Sequence, residues 1–167
     1  MTTARIRAYR PGDEPDVLAL LRVGLDEQAA YAAQVDPPED AGYVEGEWEA
    51  CTAGLRAEPD NWTVAQVEGR IAGLLWLERV ADPFAPYGVV RQLIVAPDQR
   101  RRGIGSGLLD FAEAAAGRNG ALVLMIGGLA SNPAMDLYRR RGFTPVPEGY
   151  RDDPNPNHVV LWKRFLP

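Results

Sequence analysis

Apolar and polar residues alternate over 4–10, with Ile6 and Ala8 set between arginines, which predicts a strand. Pro11-Gly12-Asp13 breaks it, and Leu18, Leu21 and Leu25 then recur at the spacing of one helix face. Asp36-Pro37-Pro38 reads as a loop. Trp48, Cys51 and Leu55 repeat the helical spacing and predict a second helix over about 40–57. A strand over 61–67, a tight turn at Glu68-Gly69 and a returning strand over 71–80 read as a hairpin. A proline-containing loop leads to a strand over 89–95. Ile104, Leu108, Phe111 and Ala115 mark one face of a third helix, closed by the glycines at 117 and 120. The unbroken apolar run 121–126 predicts a strand buried on both faces. Asn132-Pro133 has the form of an N-cap followed by proline, opening a helix that runs to Arg141 and stops at Gly142. Final strands are expected over 143–146 and 159–165. The order β-α-α-β-β-β-α-β-α-β-β has no internal repeat and no linker, which predicts one α/β domain over 1–167 with a mixed sheet.

Composition narrows the function. The chain has 167 residues, 46% of them hydrophobic and 25% charged, as in ordinary globular proteins. One cysteine, Cys51, excludes an internal disulfide and a cysteine-based zinc cluster, and one histidine, His158, excludes a multi-histidine metal site. No run reaches the length of a membrane span, and the N-terminus lacks the apolar core of a signal peptide, so the expected location is cytoplasmic. A net charge of −5 argues against a nucleic-acid partner. That charge is uneven. Residues 26–60 carry ten acids against Arg56 alone, whereas 91–102 hold Arg91, Arg100, Arg101 and Arg102 against Asp98.

The segment from Leu93 through Ile94, Val95, Pro97, Arg100, Arg101, Arg102, Gly103, Ile104 and Gly105 to Ser106 is the most informative. A strand enters a basic loop that opens a helix. The first helical turn has unpaired N–H groups and a partial positive charge, and glycines let a phosphate approach that backbone. Arginines add to the attraction. The reading is a diphosphate cradle. A dinucleotide fingerprint fails because Leu108 stands where its third glycine belongs, and a P-loop fails for want of a lysine. A serine-hydrolase elbow around Ser106 fails because Ile104 stands where glycine is needed.

The pattern Leu93-x-Val95-x-Pro97-x-x-Arg100-x-x-Gly103-x-Gly105 resembles the acetyl-coenzyme A loop of GCN5-related N-acetyltransferases (GNAT). The resemblance continues in Asn132-x-Ala134-x-x-x-Tyr138-x-x-x-Gly142-Phe143, about 30 residues on, and the element order extends it over nearly the whole chain. It implies the GNAT (acyl-CoA N-acyltransferase) fold, a mixed and mostly antiparallel sheet of about seven strands flanked by four helices. It implies acetyl-coenzyme A as co-substrate, with no metal. By that resemblance, backbone N–H groups of 101–106 hold the diphosphate. The edge of Leu93, Ile94 and Val95 pairs with the pantetheine arm in a gap before the strand at 121–126, and Asn132 contacts that arm or its approach. Tyr138 matches the tyrosine that protonates the departing thiolate, and backbone N–H groups near Ile94 are expected to stabilise the oxyanion.

An alkyl amine is largely protonated at neutral pH, so the reaction also needs a proton acceptor. The branch of the family that acetylates protein N-termini usually carries a glutamate before the asparagine, and here Gly127-Gly128 occupies that stretch. Glu78 is the first expectation for the base, ahead of Glu47, Glu49 and Asp82. The acidic window 26–60 suggests a small cationic amine as acceptor, with Tyr31, Tyr43 and Trp48 near it and the loop Glu148-Gly149-Tyr150-Arg151-Asp152-Asp153 as a second wall. Trp48 shares the apolar stripe and reads as core, and His158 reads as structural. Two other readings of the resemblance stay open: a non-catalytic acyl-coenzyme A sensor or structural module, and a protein N-terminal or lysine acetyltransferase. Dimers are common in such families, so a homodimer is an expectation that no residue here specifies.

Overall fold

The computed structural model describes residues 4–34, 42–147 and 157–165, with the backbone alone at 42 and 43. The loop at Asp36-Pro37-Pro38, the acids Asp36, Glu39 and Asp40, and the expected late wall at 148–153 lie outside the described residues. The elements are β1 (Arg5–Ala8), α1 (Glu14–Ala32), α2 (Gly42–Ala57), β2 (Trp62–Val67), β3 (Arg70–Val80), β4 (Tyr87–Val95), α3 (Ile104–Arg118), β5 (Val123–Leu129), α4 (Ala134–Arg140), β6 (Thr144–Pro145) and β7 (His158–Arg164). The order is the one that the apolar spacing predicts. β6 is shorter than expected, because Phe143 turns into the core at 2% exposure and Pro145 has no N–H to extend a ladder.

The sheet runs β1-β2-β3-β4-β5-β7-β6. Every pairing is antiparallel except β4 with β5, which is parallel. Glu68 and Gly69 both take positive φ, 48° and 83°, so the β2–β3 hairpin closes through the two-residue turn whose twist suits antiparallel strands.

Alternation along the strands feeds two cores. Val64, Leu74 and Trp76 join Leu21, Leu25, Cys51 and Leu55 under α1 and α2. Ala65, Leu75 and Leu77 join Leu108, Ala112, Met135 and Tyr138 under α3 and α4. Trp62 and Trp76 stack at 5.1 Å on the first face. β5 departs from expectation. Leu124 and Ile126 are buried, but Val123 and Met125 are only half-buried and Leu122 is 38% exposed. The second face of the strand is open because Met125 borders a cavity rather than a helix.

One irregularity positions that cavity. In β3–β4 pairing, Leu77 faces Val90 and Trp76 faces Gln92, so Arg91 is an extra residue, a bulge. The bulge inverts the alternation of β4. Val90 packs under α3 and α4, whereas Ile94 packs under α1 and α2. The parallel pairing of β4 with β5 ends at Val90 with Ile126, although β4 continues to Val95 and β5 to Leu129. A gap therefore opens in the middle of the sheet where the bulge begins.

Candidate active site

The edge of β4 beyond the bulge has a defined polarity. The Ala96 N–H donates to the Ala72 carbonyl at 2.9 Å. By antiparallel alternation, Ile94 exchanges its backbone bonds with Leu74, and Leu93 and Val95 turn N–H and C=O toward the gap. Of the backbone N–H groups near Ile94 expected at the oxyanion, that of Ile94 itself is spent within the sheet, and those of Leu93 and Val95 face the gap.

Past the strand, Arg101 (φ 63°) and Gly103 (φ 81°) adopt left-handed conformations, and α3 begins at Ile104. A Cβ at Gly103 would meet nothing within 4 Å, so its face of the loop stays open. Among the described residues, no group accepts a hydrogen bond from the backbone N–H groups of 101–106. A cleft of about 380 Å³ lies against this turn and is bordered by Leu93, Ile94, Val95, Arg100, Arg101, Gly103, Ile104, Gly105, Ser106 and Asn132. The residues present therefore fit a diphosphate followed by an extended arm.

The three loop arginines play different parts. Arg100 donates to the Val95 carbonyl at 3.0 Å and pairs with Glu27 of α1 at 2.5 Å, so its charge is already met. Arg102 is held by Gln99 at 3.3 Å and does not border the cleft. Arg101 makes no ion pair among the described residues and does border it. Arg140 on α4 also borders it, as Pro133 and Leu137 do. The sequence reading passed over Arg140, although positions 133, 137 and 140 share one helical face.

A second cavity of about 530 Å³ continues into the strand gap, sharing Gln28, Tyr31, Leu93 and Asn132 with the first. Val89, Val90, Arg91, Gln92, Met125, Ile126, Gly127, Gly128, Leu129, Tyr138, His158, Val160 and Glu47 complete its walls. Asn132 is both cap and wall: its Oδ1 accepts from the Ala134 N–H at 2.9 Å. Tyr138 is 5% exposed and packs its ring against Phe143 at 6.3 Å, and its hydroxyl makes no hydrogen bond to a described residue. Burial pushes its phenol well above the ordinary range, so it stays protonated.

The expected base, Glu78, does not border either cavity. It pairs in register with Val89, and its carboxylate lies 3.6 Å from Arg91, which satisfies its charge. Glu45 is engaged by Arg22 at 3.3 Å, and Glu49 is exposed. Of these window acids, Glu47 reaches the strand-gap cavity. Asp82 instead caps its own loop through the Phe84 and Ala85 N–H groups, which lower its pKa. Tyr31 borders both cavities, whereas Trp48 packs in the α1–α2 core beneath the Arg22 guanidinium at 4.2 Å. His158, expected to be structural, stands in the cavity wall, over the space left by Gly127. Cys51 is fully buried, and burial first, then the charge of Glu47, pushes its thiol up to about 12, which excludes it as a nucleophile. Among the described residues no helix is long and apolar enough to cross a membrane, and no cluster of His, Cys, Asp and Glu has the makings of a metal site.

A family model described as an acetyltransferase (GNAT) domain matches residues 58–145. No curated protein matches the chain. Among solved structures, the PaiA N-acetyltransferase of Thermoplasma acidophilum in complex with coenzyme A is similar, with a TM-score of 0.71 and 16% identity over 98% of this chain and 99% of that one. The N-acetylglutamate synthase of Neisseria gonorrhoeae, complexed with coenzyme A and N-acetyl-glutamate, has a TM-score of 0.72 and 20% identity over 100% of this chain but 36% of that one, so the chain spans about a third of it. The ribosomal-protein-alanine N-acetyltransferase of Brucella melitensis has a TM-score of 0.66 and 22% identity over 96% of this chain and 99% of that one. At these identities the likeness is one of fold, a mixed seven-stranded sheet with four helices. The family match covers more than half of the residues, through the strand gap, the basic loop and the tyrosine helix, and the chain belongs to the GNAT acetyltransferase family.

Proposed function

We propose that the protein transfers an acetyl group from acetyl-coenzyme A, the acyl donor of its family, to the primary amine of a small cationic acceptor. The observation that carries this reading is the strand gap: pairing stops at Val90 and Ile126 while both strands run on, and the opening joins the basic loop to Tyr138. In this reading the N–H groups of 101–106 hold the diphosphate, with Arg101 and Arg140 adding charge. Leu93 and Val95 offer strand-edge bonds to the pantetheine, and Asn132 flanks its path. Acetyl-coenzyme A supplies an acetyl group activated as a thioester. The amine displaces the thiolate, and the Tyr138 hydroxyl gives sulfur its proton.

Gly127 and Gly128 leave no carboxylate at the end of β5, which counts against the protein N-terminal branch, and a small-molecule acceptor and cytoplasmic setting are part of the proposal. The test is thermal denaturation with coenzyme A, together with thiol release from acetyl-coenzyme A. Coenzyme A raises the Tm of the wild type, and Gly103→Asp abolishes most of that rise, because its side chain projects into the open face and repels phosphate. Equal stabilisation of the variant would refute the cradle. Stabilisation without thiol release from any amine would favour the sensor reading.

A further inference from the structure

The bulge at Arg91 places a buried amide where a strand of this kind normally carries an apolar residue. Gln92 is 5% exposed. By parity with Ile94 it faces α1 and α2, and both of its amide atoms are used there. Its Oε1 accepts from Gln28 Nε2 at 3.0 Å, and its Nε2 donates to Glu47 Oε2 at 3.3 Å. The chain of bonds has one direction. Gln92 offers its N–H to a group that, when ionised, only accepts. α1, β4 and α2 are thereby joined at one point of the cavity wall.

Glu47 is the end of this chain. It is half-buried, borders the same cavity as Tyr138, and makes no ion pair among the described residues. Its acidic neighbours differ: Glu45 pairs with Arg22, Glu27 with Arg100, and Glu78 with Arg91. The two walls divide by face. Glu47 comes from the α1–α2 side of the sheet and Tyr138 from the α3–α4 side, with the strand gap between them.

We infer that Glu47, positioned by Gln92 and Gln28, anchors the ammonium group of the acceptor and takes its proton, so that amine and thioester meet in the gap from opposite faces. This rests on the transferase reading above. The balance is complete without a further reactant. The ammonium nitrogen gives one proton to Glu47, which passes it to solvent, and its lone pair attacks the thioester carbonyl carbon. The C–N bond forms, the C–S bond breaks, and sulfur takes the Tyr138 proton. The second proton lost by nitrogen restores the phenol. The sum is an ammonium and a thioester giving an amide, a thiol and one proton. Glu47 is the catalytic residue in this scheme, and Gln92 and Gln28 are positioning residues.

The test follows thiol release from acetyl-coenzyme A with tyramine, spermidine, glycinamide and glycine as probes, beside calorimetric binding of coenzyme A. The wild type turns over at least one of the first three and prefers glycinamide to glycine, whose carboxylate Glu47 repels. Glu47→Gln lowers kcat/KM for the best probe by about 100-fold and leaves coenzyme A affinity within about twofold. Gln92→Met, which keeps the volume and deletes both amide bonds, raises KM for the amine at least about fivefold with a smaller change in kcat, since it frees Glu47 without removing it. Glu47→Gln retaining wild-type kcat/KM, or losing coenzyme A binding in step with turnover, overturns the inference, as does a Gln92→Met enzyme with unchanged KM. A wild type that binds coenzyme A but releases no thiol with any probe overturns the transferase reading itself, and this inference with it.

Discussion

Tyr138 carries two properties that pull in the same direction. Its ring is a core side chain against Phe143, and its hydroxyl reaches the cavity without a protein partner among the described residues. Burial disfavours the phenolate, so the pKa rises and the group keeps its proton through neutral and mildly alkaline pH. A proton donor needs that state. Tyr138→Phe is therefore expected to lower kcat by roughly 100-fold, with coenzyme A affinity and Tm nearly unchanged, because no protein hydrogen bond is lost. The wild-type kcat should also show no descending limb between about pH 7 and about pH 9.5, where an unburied phenol would begin to ionise. Steady-state kinetics across that range check both statements, and an unchanged kcat in the variant assigns the proton to water.

At the scale of elements, the cleft depends on how closely α1 lies over β4. The contact is made at Gly24, where a Cβ would stand 2.3 Å from Ile94 Cδ1, 2.7 Å from its Cγ1 and 2.9 Å from its Cγ2. Ile94 is 5% exposed and branched at Cβ, so it cannot swing aside. Gly24→Ala gains helix propensity of about 1 kcal/mol, but overpacking at this site costs about 1–3 kcal/mol and wins. Urea denaturation should show a lower midpoint at unchanged slope, and coenzyme A should bind more weakly as α1 is displaced. The helices and strands were legible in the chain because apolar spacing reports which face is buried. The basic loop and Tyr138 were legible because each rests on a local run of residues. The bulge was not, since Arg91 fits a simple alternation as well as it fits an insertion, and nothing local marks it. Yet the bulge decides that Gln92 meets α1 and α2. The sequence could not separate Glu47 from Glu78 for the same reason: what separates them is the strand face each approaches and whether an arginine meets it.

For the molecule as a whole, the described acids of the window 26–60 set charge without acting as one wall, because Glu27 and Glu45 are spent on arginines. The pair that ties the edge of the sheet to the helical layer lies elsewhere. β1 is a four-residue edge strand with a neighbour on one side only. Arg7 on this strand donates to both oxygens of Asp13 at 2.7 and 2.8 Å, and the Arg10 N–H donates to the same carboxylate at 2.9 Å. Both side chains are largely buried, at 12% and 13% exposure. The Arg7 hydrogen bond, and then the Arg10 N–H, hold the Asp13 carboxyl below its ordinary range against the opposing cost of burial. A carboxyl whose pKa is depressed by folding adds stability that is fully present above the unfolded value, near 3.8, and that drains away as pH falls through the lower folded value. Asp13→Asn removes the charge and leaves Arg7 half-satisfied. Its unfolding free energy at neutral pH should fall by roughly 2 kcal/mol. Below about pH 4 the gap between variant and wild type should begin to narrow, and it closes once pH has fallen through the lower folded value, where the folded wild type also protonates the group. Urea titrations at several pH values between about 2 and 7 read the difference directly, and two curves that stay parallel down to the acid end would mean that the strand is pinned by its apolar contacts alone.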